Sequence, residues 1–224
     1  MTLKRVDEQY RGLTYTWGRL DHPEETPFQV APGVWWLRFT MPGPLNHINL
    51  WLLEDGDGWT IVDTCLNLET AKAHWEALFD GFMGGKPVKR VICTHMHPDH
   101  IGLAGWLCER FACDLYMTQA EFLTGSLIMG YTGEQAPSAA ISFYHRSGFS
   151  TSQLDHYRNR FGAFGQFTTP LPHNYQRLTD RQTLAIGGRY WQIVVGEGHS
   201  PEHACLYCPA LQLVIAGDQI LPRI

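Results

Sequence analysis

In the stretch Thr94-His95-Met96-His97-Pro98-Asp99-His100, three imidazoles and a carboxylate crowd into the positions from His95 to His100. They follow Val91-Ile92-Cys93, an apolar run that reads as a buried β-strand. Neutral imidazole and carboxylate are the ligands that borderline divalent metals such as zinc prefer. In a turn leaving a strand, His95 and His97 can converge on one ion while Asp99 and His100 lie just beyond, placed to reach a second. The alternative is a polar helix cap, with Asp99 capping a segment that begins at His100 and the histidines merely solvated. A cap needs one such residue, and here there are four.

The remaining composition sets bounds on this reading. A chain of 224 residues fits one large domain, and chains of this size hide about 70% of their unfolded surface. A hydrophobic content of 44% against 17% charge is globular. With 17 basic and 22 acidic residues the net charge is -5, so nothing favours a polyanionic partner and no nucleic acid is expected. Met1 to Tyr10 lacks the apolar run of a signal peptide. No window approaches the roughly 18 apolar residues of a membrane span, so no membrane association is expected. Six cysteines do not make a disulfide scaffold in a chain this long; Cys65 and Cys93 read as small core residues, and a cytoplasmic location fits best. Cys205 and Cys208 form a lone CxxC, read as ordinary strand residues in preference to a metal or redox pair.

Residues 1–31 mix aromatics with prolines and charges and read as an N-terminal extension on the surface, ahead of a domain over 32–224. Strands are expected over 34–39, 48–53 and 59–62, broken by Met41-Pro42-Gly43-Pro44 and by Glu54 to Gly58, which makes an antiparallel meander. Leu68, Ala71, Trp75, Leu78 and Phe79 share one helical face, with Asn67 the expected cap. Val88 to Cys93 then returns as a strand, completing a βαβ crossover that delivers the histidine turn. A helix over 101–110 follows, in which Gly102 and Gly105 allow close approach to the metal site, and a short strand over 114–116. Residues 118–178 hold weakly helical segments rich in Gly, Pro and aromatics; so long a connection is expected to be functional or structured. It reads as a helical insertion over the active-site mouth that forms the substrate pocket, or else as a peripheral helical pair with its own aromatic cluster. Strands over 183–186, 191–195, 204–207 and 211–216 make a second, mainly antiparallel sheet.

The HxHxDH pattern after a strand resembles the metal-binding loop of the metallo-β-lactamase-fold superfamily of hydrolases. Val62-Asp63-Thr64 upstream, Gly198-His199-Ser200-Pro201-Glu202-His203 downstream and Ala216-Gly217-Asp218 follow in that superfamily's order. The resemblance implies an α/β fold, an αββα sandwich of two mixed sheets flanked by helices with the metals at one edge. It implies a first metal site of His95, His97, His199 and Asp218, and a second of Asp99, His100 and the bridging Asp218. Asp63 is implied to orient a metal-bound histidine through its far ring nitrogen, although a helix cap is an equal reading. His203 is read as supporting a ligand or packing on its strand, ahead of being a ligand itself. The family normally supplies a further histidine beyond the bridging aspartate; here none follows Asp218, so the C-terminal part of the domain is expected to be missing at 224.

The function implied is that of a binuclear, zinc-type hydrolase, with iron or manganese as other possible occupants. It would cleave an ester-like bond (thioester, lactone or ester) of a small, partly apolar molecule with a metal-bound hydroxide, with Asp99 orienting the nucleophile and shuttling its proton. The alternatives are a phosphodiesterase or nuclease of the same fold, against which the acidic balance argues, and a non-catalytic metal-binding module.

Overall fold

The computed structural model describes residues 8–10, 12–16, 26–43 and 45–221. A ribbon of β1 (Glu8–Tyr10) and β2 (Leu13–Tyr15) precedes the main body. The meander expected from the alternating pattern is present: β3 (Phe28–Ala31), β4 (Val34–Thr40), β5 (His47–Asp55) and β6 (Gly58–Val62) pair antiparallel in succession. After helix α1 (Glu69–Asp80) the pairing turns parallel, because a crossover brings β7 (Val88–Ile92) beside β6 in the same direction. Two more parallel neighbours, β8 (Asp114–Thr118) and β9 (Gln176–Leu178), complete a mixed seven-stranded sheet in the order β3 to β9. Strands β10 (Thr183–Ile186), β11 (Arg189–Gly196), β12 (His203–Cys208) and β13 (Leu213–Ile215) form a four-stranded sheet.

Successive residues of a strand point to opposite faces, and at the centre of the large sheet both faces carry buried side chains. Leu52, Ile61 and Val91 enter a core shared with Trp75, Leu78 and Phe79 of α1 and with Leu107 of α3 (Ala104–Phe111). Their neighbours Leu53, Val62 and Ile92 enter a second core with Trp191, Ile193, Leu206 and Ile215, between the two sheets. All of β6 is therefore buried, where a sheet with one exposed face would alternate, and its one hydroxyl, on Thr60, is satisfied by Asp55. Trp75 is fully covered, and its indole N–H donates to the Thr64 carbonyl at 3.0 Å, tying α1 to the segment that leaves β6.

The structure departs from the sequence reading in several places. The second sheet, implied to be mixed, is antiparallel throughout. Its outer face shows exposed Tyr190, Val194, Tyr207 and Val214, and a helix layer over it is not among the described residues. Phe28–Ala31, assigned to the extension, is the edge strand β3, paired with β4. Asn67 does not cap α1, whose N-cap is Leu68 with no side-chain bond; the Asn67 amide instead donates to the Phe167 carbonyl. The helix expected over 101–110 breaks into α2 (Pro98–Ile101) and α3, because Leu103 leaves helical geometry. The two glycines there lie closest to backbone rather than to the histidines. A Cβ on Gly102 would stand 2.4 Å from the Cys65 carbonyl oxygen, and one on Gly105 would stand 1.8 Å from that of Pro170.

Between β8 and β9 the chain forms α4 (Gln119–Gly130), α5 (Ser138–Arg146) and α6 (Thr151–Arg160). α4 packs on β8. Tyr144 of α5 meets Phe149 and Tyr157, and Tyr157 meets Phe161, so α5 and α6 share an aromatic cluster of their own. The segment thus divides into a helix laid against the sheet and a helical pair packed on itself.

Candidate metal centre

Each histidine turn leaves the end of a strand, and the strands bring these ends to one edge of the sandwich. The Asp63 amide bonds to the Ile92 carbonyl at 2.9 Å, so β6 and β7 end together. The Ala204 amide bonds to the Thr94 carbonyl at 2.8 Å and fastens β12 of the other sheet to the same point. His100 is held by its backbone: its carbonyl accepts from the Thr64 amide at 2.9 Å and from the Thr64 hydroxyl at 2.8 Å.

Three ring nitrogens converge. His95 Nε2 lies 2.9 Å from His97 Nδ1, and His199 Nε2 lies 3.1 Å from each of them. Four nitrogens around a tetrahedral zinc at 2.0–2.1 Å stand about 3.3–3.4 Å apart, so this triangle fits one ion after slight opening. His95 is buried, His97 half-buried and His199 exposed, which leaves the set open to solvent on one side. Asp218 stands between this triangle and His100. One of its carboxylate oxygens is 3.5 Å from His199 Nε2 and the other 3.6 Å from His100 Nε2. Asp99 is also 3.6 Å from His100 Nε2. These gaps are too long for hydrogen bonds and suit ligands that share an ion. His100 Nε2 is buried with no hydrogen-bond partner, an orphan that a metal ion would satisfy. The donors His95, His100 and Asp218 also cluster closely enough to hold an ion.

Behind the ligands, Asp63 is almost wholly buried and does not cap α1. Its carboxylate accepts from His100 Nδ1 at 2.8 Å, from the Thr94 amide at 2.8 Å and from the Thr94 hydroxyl at 2.9 Å. An Nδ1–H held in this way leaves Nε2 as the lone-pair nitrogen facing Asp99 and Asp218. His203 is buried, stacks on His95 at 4.7 Å and accepts the Asp218 amide on Nε2 at 3.1 Å. It therefore sits behind Asp218.

Burial dominates the electrostatics. It pushes His95 far below the usual histidine range, with the imidazoles of His100, His203 and His97 adding to the effect. Burial followed by His199 lowers His97, and burial lowers His203 against the pull of Asp63. At His100 burial opposes the charged ring, but Asp63 and Asp218 outweigh it and hold that ring well above the ordinary value. Asp218 is lowered despite its burial, chiefly by His100. Without a metal, His100 carries its second proton on Nε2, among three carboxylates; an ion bound there would displace that proton, and the neutral rings of His95 and His97 are ready ligands.

One residue of this region is missed by the sequence reading. Glu121, in the first turn of α4, is fully buried. It accepts from the Met96 amide at 2.9 Å, the Ser200 hydroxyl at 2.7 Å and the Glu202 amide at 2.7 Å. Thr118-x-x-Glu121 has the form of a capping box, which would predict a purely local role. Thr118 makes no such cap; its hydroxyl donates to the Glu202 carbonyl at 2.7 Å, and the Glu202 carboxylate caps α4 through the Ala120 amide at 2.8 Å.

A cavity of about 530 Å³ lies beside α4, with Phe122, Ser126, Met129, Thr168, Leu171 and His173 among its walls. None of the candidate ligands lines it. At Gly125 the α4 backbone approaches Met96, whose Cβ would be 3.4 Å from a Cβ at that position.

Three likenesses to known proteins agree with this geometry. The probable metallo-hydrolase YybB of Bacillus subtilis is 26% identical over 191 residues, 85% of this chain and 70% of that protein. A beta-lactamase domain protein from Burkholderia ambifaria is 41% identical with a TM-score of 0.80, over 94% of this chain and 62% of that one. A metallo-beta-lactamase family protein from Thermus thermophilus is 26% identical with a TM-score of 0.71, over 88% and 62%. The chain therefore spans less than two thirds of the length of either solved structure. With the sequence pattern of the metallo-beta-lactamase superfamily matching residues 43–224 and the two-sheet fold and histidine edge in place, the chain belongs to that superfamily.

Proposed function

We propose that this protein is a metal-dependent hydrolase that cleaves an ester-like bond, a thioester, lactone or ester, in a small and partly apolar substrate. The observation that carries the reading is Asp218, whose two oxygens face His199 and His100, with the buried His100 Nε2 making no hydrogen bond. His95, His97, His199 and Asp218 would hold one ion, and His100, Asp99 and Asp218 a second. Zinc suits this donor set, and iron or manganese can occupy it. When bound, such ions lower the pKa of a water to about 7 and polarise a carbonyl oxygen.

The residues of the chain supply the rest. Asp99, beside the buried His100 ring, is itself partly accessible, so its carboxylate can orient a water and pass a proton to a leaving group. Asp63 keeps His100 in the tautomer that offers Nε2. A substrate's apolar portion would lie in the α4 cavity, whose walls mix apolar side chains with a few hydroxyls. The net charge of -5 favours an acyl compound over a phosphodiester.

The test is a hydrolysis screen of the metal-analysed protein on thioester, lactone, ester, β-lactam and phosphodiester substrates, repeated with His97→Ala and Asp99→Ala. A general acid–base group contributes about 10²–10⁴-fold, so Asp99→Ala should lower turnover by at least the smaller factor with its circular dichroism unchanged. A metal-loaded Asp99→Ala protein with near-native turnover refutes the assignment.

A further inference from the structure

Glu121 is a buried carboxylate whose hydrogen-bond donors are all neutral: two backbone amides and a hydroxyl. Burying a charge costs several kcal/mol unless hydrogen bonds offset it, and a packed apolar side chain at the same place would avoid the cost. The donors lie at informative places. Met96 stands between His95 and His97, Ser200 follows His199, and Glu202 precedes His203. One carboxylate therefore joins two turns more than a hundred residues apart, with Oε2 on the first and Oε1 on the second.

We propose that Glu121 is a positioning residue that sets the spacing of the His95–His97 turn against the His199 turn, so that three metal donors are already gathered before an ion arrives. This rests on the metal-binding reading of those histidines. The clasp is reciprocal, since the Glu202 carboxylate caps the helix that carries Glu121. α4 is thereby fixed to both turns, and the free energy of gathering the ligands is spent in folding, leaving less for the metal to supply.

Glu121→Gln tests the idea. An amide offers one acceptor atom, so if its oxygen stays with Ser200 and Glu202, its NH2 faces the Met96 amide, donor against donor. Two readouts follow. In the metal-free protein, hydrogen exchange at the Met96 amide should speed about tenfold, the equivalent of one lost hydrogen bond. Zinc affinity, measured by competition with a chromogenic chelator, should fall about 10–100-fold, as when partners behind metal ligands are removed. Asp55→Asn is the control. Asp55 is another buried carboxylate, which accepts from Thr60 and the Gly187 amide and pairs with Arg90, remote from the histidine turns. It should lower Tm and leave both readouts at wild-type values, as Glu121→Gln would if its role were only structural.

Ser200→Ala removes a single donor beside His199 and leaves the carboxylate otherwise paired. It should weaken zinc binding a few-fold with little loss of Tm, and it decides the question if Glu121→Gln does not fold. Wild-type exchange and zinc affinity in a folded Glu121→Gln overturn the proposal, as does unchanged affinity in Ser200→Ala or an equal loss in Asp55→Asn. The exchange measurement needs no ion, so a wild-type protein that binds no zinc would refute the metal centre while exchange still decides on the tether.

Discussion

Replacing Asp63 by asparagine removes one oxygen and one charge from a site that is almost wholly buried. The carboxylate accepts from the Thr94 amide at 2.8 Å on Oδ1, from His100 Nδ1 at 2.8 Å on Oδ2, and from the Thr94 hydroxyl between them. Asparagine keeps the first bond and tolerates the left-handed backbone of this residue, whose φ is 61°. It opposes an NH2 to the Nδ1–H of His100, and the ring can relieve the clash only by giving up that proton and keeping one on Nε2. The lost charge-assisted bond is worth about 1.5–3 kcal/mol, which at 2–4 °C per kcal/mol for a chain of this size lowers Tm by about 3–12 °C. Alanine should cost more, about 3–5 kcal/mol, because it leaves buried donors unpaired and strains the left-handed backbone. The larger effect of asparagine should be on metal, since an Nε2–H cannot ligate. The assay pairs urea unfolding of the metal-free variants with metal content and affinity of the loaded ones. We expect Asp63→Asn to fold and yet hold an ion at His100 about 10–100-fold more weakly. If it retains two ions at wild-type affinity and is as stable as the parent, the tautomer argument fails.

Gly105→Ala should destabilise the fold by several kcal/mol, because a Cβ there would overlap the Pro170 carbonyl oxygen, which is backbone and cannot swing away; thermal unfolding would show it, and an unchanged Tm would refute the packing. Removing metal from the loaded protein with a chelator should lower Tm, since zinc at a thousand times its Kd adds about 4 kcal/mol; equal Tm with and without metal would mean that the histidine edge does not bind it. Among the cysteines, Cys113 should be alkylated first at pH 8. A hydrogen bond from Cys108 lowers its pKa and raises its thiolate fraction, whereas burial pushes Cys65 up to about 12 and Cys205 to about 11, keeping both as unreactive thiols. Peptide mapping by mass spectrometry checks the order, and early modification of Cys65 would contradict it.

The order of strands in the meander, the helix after β6 and the density of ligands from His95 to His100 are legible in the sequence, because alternation, helical spacing and ligand type are local properties of neighbouring residues. Edge strands β3 and β9 are not. Each is at most four residues long, and such segments become strands only because a formed sheet offers them a partner. The sequence marks Asp63 as a residue of interest but permits it two roles, and only the position of His100, 37 residues away, distinguishes them. Glu121 lies further out of reach. Its local pattern points to a helix cap, while its actual partners are 25, 79 and 81 residues distant. By itself, then, the sequence determined which residues can bind metal and which segments alternate. Tertiary structure alone decided which carboxylate faces which donor, since a buried charge takes its partners from whatever the packed backbone brings within about 3 Å, and sequence separation places no bound on that.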